Sequence, residues 1–217
     1  MTTADNRCRL VLVLPDMADA VERARVLGDA LKGGDVASVI VPKYDLDDRV
    51  FQEHAEKLVP VIQDAGAAAL IVNDSRVAGR ARADGLHIEG NQEALAEAIE
   101  KHTPKMIVGG GTAKERHAAL EIGELQPDYI FFGKLDGDIK PEPHSKNLAL
   151  AEWWASMVEI PCMVMGGTDP ESALAVAETG AEFVALGKAV FADPAQASTI
   201  ISRVNALLDE KAPRFDG

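Results

Sequence analysis

Only two cysteines occur in 217 residues, Cys8 and Cys162, and they match no metal-ligand spacing. Lying in or beside different strands, they read as reduced structural thiols rather than a disulfide framework. Long hydrophobic runs are also missing. The longest apolar stretches are strand-sized and broken by Pro, Gly or charge, so no membrane-spanning segment is expected. The opening MTTADNRCR holds no apolar core of signal-peptide length, which makes the cytoplasm the expected location. Basic stripes do not occur. Lys and Arg total 22 against 35 Asp and Glu, for a net charge of −13, and no nucleic-acid partner is expected. The same field opposes anionic substrates, so local cations, backbone dipoles or a metal must reverse it wherever such a substrate binds. No GxGxxG follows the first apolar run, and no linker or low-complexity segment divides the chain.

What is present is a 47% hydrophobic chain of a length that suits one domain with a sizeable core. Apolar runs recur at 10–14, 36–41, 68–72, 86–88, 106–108, 129–132, 163–165 and 183–186. Their Val/Ile/Leu content is continuous rather than alternating, as expected for strands buried on both faces of a parallel sheet. Helical stretches include 19–31, 50–65, 92–101, 113–125, 148–157, 170–179 and 194–211. Gly33, Gly66 and Gly180 are placed to end helices as left-handed C-caps. Eight strands alternating with helices predict an α/β fold, a single (β/α)8 TIM barrel over residues 1–217, with an open doubly wound sheet as the alternative. Residues 1–8 and 212–217 are expected to be flexible tails.

Active sites of such barrels lie at the C-terminal ends of the strands. There, the turns in PCMVMGG (161–167) and FVALGKA (183–189) follow the last two strands. Gly166, Gly167, Gly187 and Lys188 are the expected phosphate-ester site, because glycine lets backbone N–H groups approach an oxyanion. Two ordinary βα turns are the alternative. Asn73 and Asp74 end the third strand. Asp74 is placed either to ligate Mg²⁺ beside a diphosphate or, like Ser75, to cap the next helix. The loop GKLDGDIKPEPHSK (133–146) carries Lys134, Lys140, His144 and Lys146 and reads as a lid over an anion or as a solvated loop. His87 is expected to be a buried structural histidine, while His54, His102 and His117 read as surface residues. Trp153 and Trp154 read as helix-to-barrel packing or an oligomer contact. Asp169 and Pro170 look like an N-cap followed by Pro at the first helical position.

The segment LIVNDSRVAGRARADGLHI (70–88) resembles the thiamine phosphate synthase family, in which an Asn-Asp strand end leads through a short helix to an Ala-Asp-Gly-x-His strand. The resemblance extends through DYIFFG (128–133), MGG (165–167) and TGAEFVALGKAVF (179–191). It implies a transferase that joins hydroxymethylpyrimidine diphosphate to thiazole phosphate and releases diphosphate. Asn73 would then face the pyrimidine, Asp74 would ligate Mg²⁺, and the glycine turns would hold the thiazole phosphate. Four positions depart from the family pattern. The Gln-x-Arg-x-Lys stretch after the second strand is VIVPKYD (39–45), with Lys43 its one cation. The second metal-binding Asp is replaced by Gln92 or Glu93. The Ser after the fifth strand falls in Gly109–Thr112, and the Thr-rich lysine loop is residues 133–146, where Lys140 is the candidate replacement for the family lysine. Two alternatives share the barrel: a thiazole tautomerase-like isomerase, with Lys134 where its histidine is expected, and a non-catalytic binder of a phosphorylated small molecule.

Overall fold

The computed structural model describes residues 6–215. Eight parallel strands close into a barrel: β1 (Arg9–Val13), β2 (Ser38–Val41), β3 (Ala68–Val72), β4 (Gly85–Ile88), β5 (Ile107–Gly110), β6 (Tyr129–Phe132), β7 (Cys162–Met165) and β8 (Phe183–Leu186). Each pairs with the next, and β8 returns to β1 through Leu10–Val184 and Leu12–Leu186 register pairs. Outside them run α1 (Ala20–Leu31), α2 (Asp48–Asp64), α3 (Ser75–Ala81), α4 (Gln92–His102), α5 (Arg116–Glu124), α6 (Ser145–Ala155), α7 (Ser172–Ala177), the short α8 (Lys188–Phe191) and α9 (Ala197–Lys211). The (β/α)8 expectation is met.

Continuous apolar strands follow from two buried faces. In β1, Leu10, Leu12 and the following Leu14 pack under the helices, while Val11 and Val13 join Ile40, Leu70, Phe131 and Met163 inside the barrel. His87 lies in that interior, fully buried, with Nδ1 2.7 Å from the Tyr129 hydroxyl. Burial disfavours its charged form and pulls its pKa down to about 3. The Tyr129 ring lies against Gly109, where a Cβ would stand 2.3 Å from ring carbon Cδ1. That close approach explains a glycine at this strand position. On the outer face, Trp154 is fully buried, meets Phe132 edge-on, and donates its indole N–H to Ile160 O.

Several local expectations change. Gly66 and Gly180 adopt positive φ after their helices, but α1 ends on the right-handed Lys32, and the positive φ falls on Gly34. Gly33 is needed for space instead, since its Cβ would lie 2.3 Å from Ser198 O of α9. The sixth helix begins at Ser145 rather than 148, because His144 Nδ1 accepts the Lys146 N–H and caps it. Asp169 accepts the Glu171 N–H in a turn before α7, which starts at Ser172. His54 is buried, not superficial. Its ring lies 3.4 Å from the Arg23 guanidinium and 3.2 Å from Ala18 O, in the seam between α1 and α2. Both cysteines are free and buried, and burial raises both thiol pKa values. Of the expected tails, residues 1–5 and 216–217 lie outside the described residues. Arg7 is buried and reaches Asp209, Asn205 and Cys8 O, and it bridges to Arg214, so the described parts are tied to α9 and the barrel floor. No described helix is long and apolar enough to cross a membrane.

Candidate functional site

At the C-terminal face two cavities lie side by side. The larger, of about 500 Å³, is lined by Lys43, Tyr44, Asn73, Asp74, Glu89 and Asp136, among others. The smaller, of about 260 Å³, lies between the ends of β1 and β8 and is lined by Asp16, Asp138, Gly187 and Lys188 among its polar and turn residues. Tyr44, Leu135 and Asp136 belong to both and form the shared wall. Tyr44 is fixed there by its hydroxyl bond to Leu14 O (2.6 Å), with the Arg23 guanidinium 5.8 Å from the ring centroid. Desolvation pushes the Tyr44 hydroxyl up to about 12, so it acts as a neutral donor.

In the larger cavity Asn73 takes a left-handed conformation (φ 56°). Its amide accepts the Glu89 N–H (2.9 Å) and donates to Glu89 O (3.0 Å), clamping the end of β3 to the end of β4. Asn73 therefore aims Glu89. That carboxyl, at a strand end where function is sought but to which sequence analysis assigns no role, lines the cavity. Desolvation raises its pKa, and the nearby Asp136 charge adds to the effect. Asp74 caps α3: Oδ1 accepts the Arg76 and Val77 N–H groups, and among the described residues Oδ2 has no protein donor. The capping expectation for Asp74 is met through Oδ1, with Oδ2 left for a further partner. Lys43 forms an ion pair with Asp48, and Arg76 lies 3.7 Å from the same carboxylate, so two cations converge beside the cavity. The Lys43 ammonium holds the exposed Asp48 below the usual carboxylate range. Arg76 escaped the sequence reading because its place beside Lys43 arises only when β2 and β3 pair.

The glycine turns meet as expected in space, but their surroundings are specific. Gly166, Gly167 and Gly187 are buried. The Gly166 N–H bonds to Ala185 O and the Gly167 N–H to the Ser172 hydroxyl. Loop 133–144 lies across them. Lys140 O accepts the Thr168 N–H (2.8 Å), Pro141 O accepts the Asp169 N–H (3.2 Å), and a Cβ on Gly167 would stand 1.9 Å from Pro141 O. The Lys140 side chain itself is exposed and lines neither cavity. Asp138, on this loop, is 2% exposed and accepts hydrogen bonds from the Lys188 N–H (2.6 Å) and Nζ (3.1 Å).

The family model for thiamine monophosphate synthase matches residues 10–190. The chain belongs to that family. Thiamine-phosphate synthase from Rhodospirillum centenum is 30% identical over 202 residues, covering 93% of this chain and 98% of that protein. The enzyme of the same name from Erythrobacter litoralis is 34% identical over 154 residues, 68% of this chain and 72% of its own. Among solved structures, thiamine phosphate pyrophosphorylase from Pyrococcus furiosus superposes with a TM-score of 0.75 at 19% identity, covering 95% of this chain and 98% of that one, which supports the fold. Within the thiamine monophosphate synthase family, the thiazole tautomerase reading is not favoured. Lys134 stands where its histidine is expected, and the nearby His144 accepts the Lys146 N–H through Nδ1 to cap α6.

Proposed function

We propose that this chain joins hydroxymethylpyrimidine diphosphate to thiazole phosphate and releases diphosphate. The observation that carries the reading is the pair of adjoining cavities with one shared wall, one lined by Lys43 and the Asp74, Glu89 and Asp136 carboxylates, the other by the Gly187–Lys188 turn. Two substrates that must exchange one bond need such neighbouring seats. The pyrimidine diphosphate takes the larger cavity, with Asn73 holding Glu89 against the ring. Lys43 and Arg76 leave Asp48 to meet the diphosphate. Lys140 is a further cation for that charge once loop 133–144 moves. The Gly187–Lys188 turn holds the thiazole phosphate; the Gly166 and Gly167 N–H groups, expected to join it, are already bonded to Ala185 O and Ser172 Oγ.

Mg²⁺ fits the larger cavity in a limited way. Among the described residues no cluster of three or more His, Cys, Asp or Glu forms a cage. Mg²⁺ commonly needs only one or two carboxylates when substrate phosphates complete its shell, and Asp74 Oδ2 is available for that. When bound, the ion would supply charge stabilisation to the departing diphosphate. The residues' own part is electrostatic and positional: Lys43 offsets developing negative charge, Tyr44 and Leu135 separate the seats, and Asn73 orients its neighbour.

Diphosphate release on mixing the two precursors with Mg²⁺ tests the proposal. Replacing Lys43 by Met removes one charge-assisted contact of ~1.5–3 kcal/mol and should slow release about tenfold to 150-fold. No release by the unaltered protein, with the phosphate ester still bound, would favour the non-catalytic alternative.

A further inference from the structure

The turn after β8 already holds an anion. The Asp138 carboxylate accepts the Lys188 backbone N–H at 2.6 Å through Oδ2 and the Lys188 ammonium at 3.1 Å through Oδ1, and Lys188 Nζ also reaches Asp138 O at 3.1 Å. A Cβ on Gly187 would lie 3.0 Å from Asp138 Oδ2, so the carboxylate sits directly over the glycine. Asp138 comes from the loop after β6, 50 residues away in sequence, and is 2% exposed while Lys188 is 58% exposed. The flanks of the loop are tied down as well: Lys140 O and Pro141 O accept the Thr168 and Asp169 N–H groups at the turn after β7. The loop thus covers both glycine turns at once.

Resting on the proposed thiazole-phosphate seat, we propose that Asp138 is an internal stand-in for the substrate phosphate and that loop 133–144 is a lid which a phosphate ester must displace. A carboxylate and a phosphate compete for the same N–H and ammonium donors, so the two cannot occupy the turn together. The consequence is selectivity. A dianionic phosphate replaces the carboxylate's contacts and adds oxygens for the released Thr168 and Asp169 N–H groups. The corresponding unphosphorylated thiazole alcohol brings no charge to replace the carboxylate and leaves the lid shut. Asp138 is therefore a specificity-determining residue that touches the seat only when substrate is absent.

Titration calorimetry with thiazole phosphate, inorganic phosphate and the thiazole alcohol tests this on the unaltered protein and on Asp138→Ala. A site that is open only a fraction of the time binds more weakly by that fraction. Asp138→Ala should bind both phosphates about tenfold or more tightly, with no gain for the alcohol. Hydrogen exchange on the unaltered protein supplies a readout that does not depend on the variant folding. Thiazole phosphate should speed exchange of the Lys140- and Pro141-bonded amides, or exchange them for ligand bonds while segment 134–141 loses protection, and the alcohol should leave the pattern unchanged. Equal or weaker phosphate affinity in Asp138→Ala, or a bound phosphate with segment 134–141 undisturbed, overturns the lid while leaving the seat in place. Failure of both proteins to bind thiazole phosphate removes the seat and the lid together.

Discussion

Gly167→Ala isolates the packing of the lid from the chemistry of the seat. The backbone at Gly167 needs no left-handed conformation, so alanine is not excluded by φ. The obstacle is Pro141, whose carbonyl oxygen would stand 1.9 Å and carbonyl carbon 2.5 Å from the new Cβ. Both are backbone atoms, and no rotamer change relieves the clash. To reach ordinary contact the loop must retreat by roughly 1.5 Å. That distance breaks the Thr168 N–H bond to Lys140 O and the Asp169 N–H bond to Pro141 O. At ~0.5–1.5 kcal/mol net for each bond, the closed loop loses about 1–3 kcal/mol. The barrel beneath is untouched, because the Gly167 N–H still reaches Ser172 Oγ. Limited proteolysis should show faster cleavage within 134–143, and thermal unfolding should fall by about 2–12 °C at the 2–4 °C per kcal/mol expected for a chain of this size. An unchanged cleavage rate together with an unchanged midpoint would refute the argument, since it would mean that the loop does not rest on Gly167.

Two further outcomes are expected. Asp74→Ala should cost ~0.5–2 kcal/mol of stability through the lost α3 cap, whereas Asp74→Ser keeps a capping oxygen. Both should lose Mg²⁺-supported diphosphate release, and full activity in Asp74→Ser would remove Asp74 from the metal's shell. His87 sets a pH dependence: its folded pKa is near 3 against an ordinary value of 6.5. The unfolded chain therefore binds a proton that the fold refuses, and this contribution is intact above pH 6.5. It is lost at about 1.4 kcal/mol per unit as pH falls from there towards 3. Urea midpoints at several pH values should show a shallower acid loss in His87→Leu, and equal slopes would mean that His87 titrates freely inside the barrel.

The barrel was legible in the sequence because a strand covered on both faces must be apolar at every position, as Leu10 to Leu14 are. The same local logic located the glycine turns, the Asn73–Asp74 strand end and the buried His87, since each depends on neighbours within a few residues. Partners across the barrel mouth were not legible. Nothing near Asp138 in sequence marks it as the residue that meets Lys188, and nothing near His54 marks its burial against Arg23. Lys43 and Lys140 were both proposed as replacements for cations of the family pattern. Closure of the sheet put Lys43 on the cavity wall beside Arg76 and left the Lys140 side chain outside, with its carbonyl on the β7 turn. Backbone dihedrals and strand burial are decided by local steric and solvation terms. Which charge meets which is decided only when eight strands fix their register and bring loops far apart in sequence to one rim.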